Sequence, residues 1–114
     1  MVMTANSRPT AAYRAFWNHV GARLPSFKGA ASTRYYAECE QLLYRDLFPS
    51  LAGRSLLKTD LWDEAKNSEI LCWAAAQGAH PFGIDIASDV VHEARSAMHG
   101  FRPRFAVADV RFIP

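Results

Sequence analysis

Apolar residues recur at helical spacing in the first part of the chain, starting near Pro9. The apolar stripe consists of Tyr13, Phe16, Trp17, Val20 and Leu24. This spacing predicts an amphipathic helix, for which Pro9 fits the first turn and Pro25 ends the pattern, while residues 1–8 are expected to fray. We expect the aromatic face to pack in the core or as a lid on a sheet; a face directed at substrate is the alternative.

A second helical pattern covers residues 33–48, with Ser32 or Thr33 as its cap. Its apolar stripe consists of Tyr36, Cys39, Leu43, Tyr44 and Leu47. Cysteine on such a stripe behaves as a small apolar residue, and we expect at least Tyr36 to lie in the core. A place for Tyr35 and Tyr36 beside a ligand is the alternative.

From residue 55 onward the pattern changes to short apolar runs bounded by polar turns. Residues 55–60 and 82–86 predict two strands, and the helix between them ends at Gly78. This helix starts either at Asp63 or at Asn67, and we favour Asn67, which leaves the residues just before it as a loop. Its buried face then consists of Ile70, Leu71, Ala74 and Ala75. Strand, helix and strand in this order predict a βαβ unit.

The next helix is predicted to be capped by Ser88, with Asp89 in its first turn, and a third strand covers residues 104–108. The apolar stripe of this helix consists of Val90, Val91, Ala94, Ala97 and Met98. Strands alternating with helical crossovers indicate the α/β class with a parallel sheet.

An aspartate closes each predicted strand: Asp60, Asp85 and Asp109. The carboxyl ends of parallel strands share one edge of the sheet, where ligands of open α/β sheets bind. A carboxylate there can accept hydrogen bonds from ribose hydroxyls, and the spacing from Asp60 to Asp85 is near the ~20 residues typical of nucleotide folds. The pattern is therefore typical of a site for a nucleotide-type ligand and equally of ordinary solvated strand ends.

Composition narrows the function classes. With 114 residues the chain forms one domain, and a net charge of +2 without a dense basic stripe does not indicate nucleic acid. Two cysteines without a CxxC motif favour a reducing compartment and so a cytoplasmic location. We expect no signal peptide and no membrane span, because the apolar runs are too short.

Metal and nucleophile motifs are weak. His92 and Glu93 resemble the start of a zinc-binding helix, but Ser96 stands where the second histidine would be needed. Asp60 and Asp63, with the neighbouring Glu64, form an acidic cluster that a solvated helix start explains as well as a metal ion would. We therefore predict no metal site.

Residues 78–88, with the sequence GAHPFGIDIAS, resemble the second motif of class I S-adenosylmethionine-dependent methyltransferases. In that family the acid at the position of Asp85 binds the ribose hydroxyls of the cofactor. Residues 108–114 are similar to the segment after the family's third strand, where Asp109 would bond the adenine amino group and the Val110 N–H would face the ring. The resemblance, which covers residues 34–114, implies an incomplete Rossmann-like three-layer fold and S-adenosyl-L-methionine as the cofactor. It assigns cofactor contacts to Asp60, Leu61, Asp63, Asp85, Ile86, Asp109 and Val110.

The chain departs from the family after the first strand, where the glycine-rich loop is replaced by DLWDEAKNS at residues 60–68. Glycines allow a backbone to approach a ligand closely, so the methionine part of the cofactor must be held differently. Asp63 or Glu64 would pair with its amino group, or the helix start at Asn67 would bind it. A variant subgroup of the family has a similar loop, and the missing glycines argue against an NAD-type dehydrogenase.

The family domain continues with four more strands beyond the point that corresponds to Pro114. We therefore expect an N-terminal helical segment at residues 1–31 and the N-terminal half of a methyltransferase domain at 32–114. The half is a fragment, a truncated reading frame or a unit that needs a partner. Its first strand would be an exposed edge through which the chain could self-associate. The rival interpretations are a non-catalytic interaction module and a protein that binds another adenosine ligand, and neither the methyl acceptor nor a catalytic residue is predicted.

Overall fold

The structure, a computed structural model, describes residues 11–113. Its helices are α1 (Ala11–Arg23), α2 (Ala31–Leu47), α3 (Trp62–Lys66), α4 (Ile70–Ala76) and α5 (Ser88–Ala97). Its strands are β1 (Ser55–Lys58), β2 (His80–Asp85) and β3 (Arg104–Val107), and a 3₁₀ turn covers Val110–Phe112. The predictions for residues 1–8, for Pro9 and for Pro114 lie outside the described residues.

The strands form one parallel sheet in the order β1-β2-β3. In its register Leu57 lies opposite Phe82, which in turn lies opposite Arg104. The predicted α/β class is therefore confirmed, and the arrangement is compatible with an incomplete Rossmann-like fold. No helix in residues 11–113 has both the length and the apolar character needed to cross a membrane.

The core lies on one face of the sheet. Side chains of α3, α4 and α5 pack there against Leu56 and Phe105. The buried positions predicted for the helix before Gly78 are confirmed, as are four of the five predicted for α5. These residues are Ile70, Leu71, Ala74, Ala75, Val90, Val91, Ala94 and Met98. The prediction for Gly78 also holds, because this residue ends the helix with a φ of 92° that favours glycine.

The opposite face of the sheet carries no helix among the described residues. Side chains alternate between the faces of a strand, so this second face carries Ser55, Leu57, His80, Phe82, Ile84, Arg104 and Ala106. Leu57 is 59% exposed. The described residues thus supply two layers, the sheet and the helices on one side of it. β1 is an edge strand, as predicted for a half-domain.

The predicted position of the α2 stripe in the core is wrong. Tyr36, Cys39, Leu43 and Leu47 are exposed, and only Tyr44 packs against the core, next to Trp73 of α4. Periodicity predicted the helix correctly, but among the elements of residues 11–113 α2 contacts only α4 substantially, so most of its apolar stripe is exposed there. Nor does Ser32 or Thr33 cap it, since α2 begins after Ala30 without a side-chain cap.

The crossover between β1 and β2 also differs from the prediction. The segment predicted as a loop is helix α3, and α4 starts at Ile70, after Glu69 in a left-handed conformation with φ 53°. The physical reason is a side chain in the first turn of α3: Glu64 is buried and pairs with Lys58 at the end of β1. A tertiary contact of this kind holds a five-residue helix that sequence periodicity cannot reveal.

Candidate functional site

The three strand-end aspartates line one cleft at the carboxyl edge of the sheet. Its volume is about 310 Å³, at the lower end of the range for ligand pockets. Three aromatic side chains share its wall: Tyr13, Trp17 and Trp62. The prediction that Asp60, Asp85 and Asp109 gather at one edge is therefore confirmed by their positions.

Asp85 is the most firmly held of the three. Its Oδ2 accepts a hydrogen bond from the Leu61 N–H (3.0 Å) and its Oδ1 accepts one from the Ala87 N–H (2.8 Å). Burial raises the pKa of the Asp85 carboxyl, nearby Asp60 adds to the rise, and the two N–H donors oppose it. Each carboxylate oxygen keeps acceptor capacity for a further donor, so Asp85 can still bind a pair of hydroxyl groups.

Leu61 places its backbone, rather than its side chain, at the site. The side chain is fully buried in the core, and its N–H reaches Asp85 from the turn between β1 and α3. This close approach depends on Gly83 in β2, because a Cβ at that position would overlap the Leu61 side chain. Gly83 therefore allows the loop between β1 and α3 to lie close to the carboxyl edge of the sheet, although that loop contains no glycine.

Asp60 is exposed at the cleft wall and shapes the loop beside it. Its Oδ1 accepts a hydrogen bond from the Trp62 N–H at 2.7 Å, an Asx-type turn that leads into α3. Asp60 and Asp85 thus present two carboxylates to one cleft, which favours hydroxyl donors and cations as ligands.

Asp109 is paired with an arginine. Arg111 donates to its carboxylate from Nη2 (2.6 Å) and Nε (3.0 Å), and the Arg111 N–H adds a third hydrogen bond (3.0 Å). These bonds to Arg111 lower the pKa of the Asp109 carboxyl. The guanidinium also lies 4.7 Å from the centre of the Tyr13 ring, so a cation–π contact links this segment to α1. A ligand amino group at Asp109 would share the carboxylate with Arg111.

The structure brings together five of the seven predicted contact residues: Asp60, Asp85, Ile86, Asp109 and Val110 line the cleft. Leu61 contributes its N–H, as described. Asp63 lies elsewhere, in a separate hollow that it shares with Tyr36 and Asn67. Its carboxylate accepts hydrogen bonds from Lys58 Nζ (3.2 Å) and Asn67 Nδ2 (3.3 Å).

Glu64 is equally unsuited to bind the methionine amino group, because it is 1% exposed and used internally. Its Oε2 lies 3.1 Å from Lys58 Nζ, and its Oε1 accepts a hydrogen bond from the Leu71 N–H (3.2 Å). Burial raises the pKa of Glu64 and Lys58 opposes the rise. Burial by itself lowers the pKa of Lys58, but Glu64 and Asp63 outweigh it and raise the value. This ion pair connects the end of β1 to α3. The sequence did not reveal it, because each of the two charged residues taken alone is expected to lie in solvent.

Helix α1 forms one wall of the cleft through two contacts with α5. Asn18 Oδ1 accepts hydrogen bonds from the Ser88 N–H (2.9 Å) and hydroxyl (3.2 Å). The predicted cap at Ser88 is therefore wrong: α5 begins after Ala87 without a side-chain cap from its own segment, and Asn18 serves its first turn instead. Gly21 packs directly on Val90, and a Cβ there would lie 2.8 Å from Val90 Cγ2. This glycine on a helix of aromatic residues was the sequence signal for close packing.

The net charge of the residues that line the cleft favours some classes of ligand over others. Three carboxylates and the Arg111 guanidinium leave it with an excess of two negative charges. Phosphate groups are repelled by such a site, whereas cations are attracted, and aromatic walls favour both flat rings and cations. In residues 11–113, no group of three or more His, Cys, Asp or Glu side chains is placed to hold a metal ion.

Comparison of the chain with protein-family models, curated proteins and solved structures gave no significant match.

Proposed function

We propose that the acidic cleft binds the adenosine part of S-adenosyl-L-methionine and that the chain is the cofactor-binding part of a methyltransferase. The observation that carries the proposal is Asp85, which lies at the end of the central strand and is oriented by the N–H groups of Leu61 and Ala87. A carboxylate in this position has acceptor sites for both ribose hydroxyls. Trp62, Tyr13 and Trp17 supply aromatic surface for the adenine ring.

The sign of the charge supports this cofactor over a nucleoside triphosphate. S-adenosylmethionine carries a sulfonium cation and no phosphate, and the cleft carries an excess of negative charge. Aromatic faces also attract sulfonium-type cations. The charge excess therefore favours the sulfonium compound and disfavours ATP.

The bound cofactor would supply a methyl group for in-line displacement by an acceptor atom. The residues described here would bind and orient it, which is the main contribution that such sites make to the reaction. The resemblance places the acceptor-binding elements beyond the third strand. We assign no catalytic base, and the methyl acceptor stays open.

The first prediction concerns Asp85. Asp85→Asn keeps the size of the side chain but removes the charge and one acceptor, so we expect S-adenosylhomocysteine to bind at least tenfold more weakly, about 1.4 kcal/mol or more. Asp89→Asn is the matched control, because Asp89 is exposed on α5 and outside the cleft. Isothermal titration calorimetry measures both. Equal affinities for the two variants, or no heat from the wild-type protein at millimolar ligand, would contradict the proposal.

Competition with ATP separates the proposal from the rival adenosine ligand. We expect ATP to leave the titration with S-adenosylhomocysteine unchanged. Displacement of S-adenosylhomocysteine by equimolar ATP would instead assign the cleft to nucleotides.

We keep one second candidate, a non-catalytic module that associates with a copy of itself. The observation in its favour is β1, an edge strand whose Leu57 is 59% exposed next to a sheet face without helices. Exposed edges of this kind pair with other strands. Size-exclusion chromatography with light scattering tests it: a monomer that binds S-adenosylhomocysteine would exclude the module, and a dimer that binds no ligand would favour it.

A further inference from the structure

The two edges of the sheet carry opposite charges. The carboxyl ends of the strands and the first helical turns that follow them hold six acids: Asp60, Asp63, Glu64, Asp85, Asp89 and Asp109. The segments at the amino ends cover residues 49–55, 77–81 and 99–104 and contain no aspartate or glutamate. Their charged or ionisable residues are Arg54, His80, His99, Arg102 and Arg104. The amino edge is therefore a region of positive potential, at the opposite end of the strands from the acidic cleft.

A further hollow, distinct from the cleft and from the hollow at Asp63, lies at this amino edge and has a volume of about 370 Å³. Its lining consists of Ser55, His80, Pro81, Phe82, Arg102 and Arg104. Arg104 lies opposite Phe82 in the sheet register, and its guanidinium is 5.5 Å from the Phe82 ring centre. The hollow thus combines two guanidinium groups with a hydroxyl, an imidazole and a flat apolar floor.

Both arginines of the hollow have hydrogen-bond donors that are not used within the described residues. In residues 11–113 neither Arg102 nor Arg104 takes part in an ion pair, and no carboxylate lines the hollow. Helices α4 and α5 end nearby, and their carbonyl groups would attract cations. One backbone N–H bonds to a carbonyl near each end: Gly78 donates to Ala75 (2.9 Å) and Met98 donates to Arg95 (3.2 Å). Among the described residues neither arginine donates to a helix carbonyl, so both guanidinium groups are left for a ligand.

We propose that this amino-edge hollow binds the phosphate group of a small soluble phosphomonoester. Guanidinium groups bind phosphate oxygens with paired, charge-assisted hydrogen bonds, and Ser55 offers one further donor. Pro81 and Phe82 provide apolar surface for the organic part of the ligand. The hollow shares no residue with the acidic cleft at the other edge of the sheet, so phosphate binding can be tested separately from the proposed function. Its floor lies on the sheet face that carries no helix among the described residues.

An NMR titration with inorganic phosphate, at ionic strength held constant with chloride, tests the proposal. We expect saturable shifts of the His80 and Arg104 amides, with a dissociation constant on the order of 1 mM, and no shift of the Leu61 and Ala87 amides. The double variant Arg102→Ala/Arg104→Ala should weaken binding at least tenfold. Its matched control removes two exposed arginines of α1 and α2, Arg23→Ala/Arg34→Ala, and should bind as the wild type does.

Two results would overturn the assignment: shifts that do not saturate, or equal weakening in both double variants. Glycerol phosphate and vesicles containing phosphatidic acid distinguish the sources of the phosphate group. Binding of glycerol phosphate supports the soluble ligand, whereas binding of the vesicles alone overturns it. Asp85→Asn should leave phosphate binding intact, so failure here and failure of the methyl-donor proposal can be told apart.

Discussion

Asp85 combines a structural position with the candidate ligand-binding position in one carboxylate. Two backbone N–H groups hold its oxygens, so its orientation is set before any ligand arrives. Burial raises its pKa, which means that the charged form exists at a cost. Both properties are typical of functional carboxylates and give the site a pH dependence.

The second prediction concerns how the affinity of the cleft for its ligand depends on pH. Ribose hydroxyls need the charged carboxylate, so affinity for S-adenosylhomocysteine should fall about tenfold per pH unit below the raised pKa of Asp85. Calorimetry at several pH values measures it, and a pH-independent affinity across mildly acidic conditions would contradict it. The pH dependence of folding stability runs in the opposite direction. The pKa of Asp85 is higher in the folded state than in the unfolded chain, where it is near 3.8, so the folded state binds this proton more tightly. The contribution of Asp85 to stability is therefore full below that value and is lost as pH rises through the folded pKa.

The third prediction concerns the ion pair of partly exposed Lys58 and buried Glu64. Lys58→Met leaves the Glu64 carboxylate buried without its cation, so the free energy of unfolding should fall by about 3–5 kcal/mol. Adding Glu64→Gln, which removes the stranded charge, should recover most of the loss. Chemical denaturation measures both variants.

The control for this pair is an exposed one. Lys28 lies 2.9 Å from Glu69, and both side chains are more than a quarter exposed. Lys28→Met should therefore cost no more than about 1 kcal/mol. Losses of equal size for the Lys28 and Lys58 variants would show that burial of Glu64 has no energetic role.

At the scale of elements, α1 is a wall of the cleft rather than an appendage. Its Tyr13 and Trp17 line the cleft, and Asn18 and Gly21 fix it on α5. The division predicted at residue 31 separates two segments that share one site. Whatever binds in the cleft also meets α1.

The fourth prediction tests that wall. Gly21→Leu introduces a side chain where a Cβ already lies 2.8 Å from Val90 Cγ2, so α1 must move away from α5. We expect a stability loss of about 1–3 kcal/mol, weaker binding of S-adenosylhomocysteine and faster hydrogen exchange in α1. Ala22→Leu, one residue along on the exposed side, is the control and should change none of the three.

The strands and their acids were predictable because short apolar runs ending in aspartate have a local signature. Asp60, Asp85 and Asp109 could be placed at one edge because parallel strands have their carboxyl ends at the same edge of a sheet. Three outcomes needed information that is not local. The α2 stripe shows that periodicity reveals an apolar face but not what covers it, and α3 shows that a short helix can depend on one buried contact such as Glu64 with Lys58. The Arg111 contact with Asp109 and Tyr13 likewise depends on where α1 packs.

At the scale of the whole molecule, three apolar surfaces are open among the described residues: the bare sheet face, the β1 edge and the stripe of α2. Parallel sheets are normally covered on both faces. Tyr36, Leu43 and Leu47 on α2 are each more than half exposed, like Leu57 on the sheet. Such surfaces are typical of a unit that completes its core against another polypeptide.

The fifth prediction concerns that association. Leu57→Lys places a charge on the β1 edge, which discourages strand pairing, so a self-associated wild-type protein should become monomeric. Leu24→Lys, at an exposed position just beyond α1, is the control and should leave the oligomeric state unchanged. Light scattering after size-exclusion chromatography measures both, and a wild-type monomer at every loading concentration would contradict self-association.

The position of β2 has a consequence for how the chain opens. β2 is bonded to a strand on each side, whereas β1 and β3 have one neighbour each within the described sheet. Phe82 and Gly83 are paired on both sides, with Leu57 and Lys58 of β1 and with Arg104 and Phe105 of β3. Both neighbouring strands and the core beneath shield their amides, so we expect exchange with deuterium only through a large opening of the sheet. Protection factors of the Phe82 and Gly83 amides therefore measure the stability of the fold at the strand that carries the candidate ribose ligand.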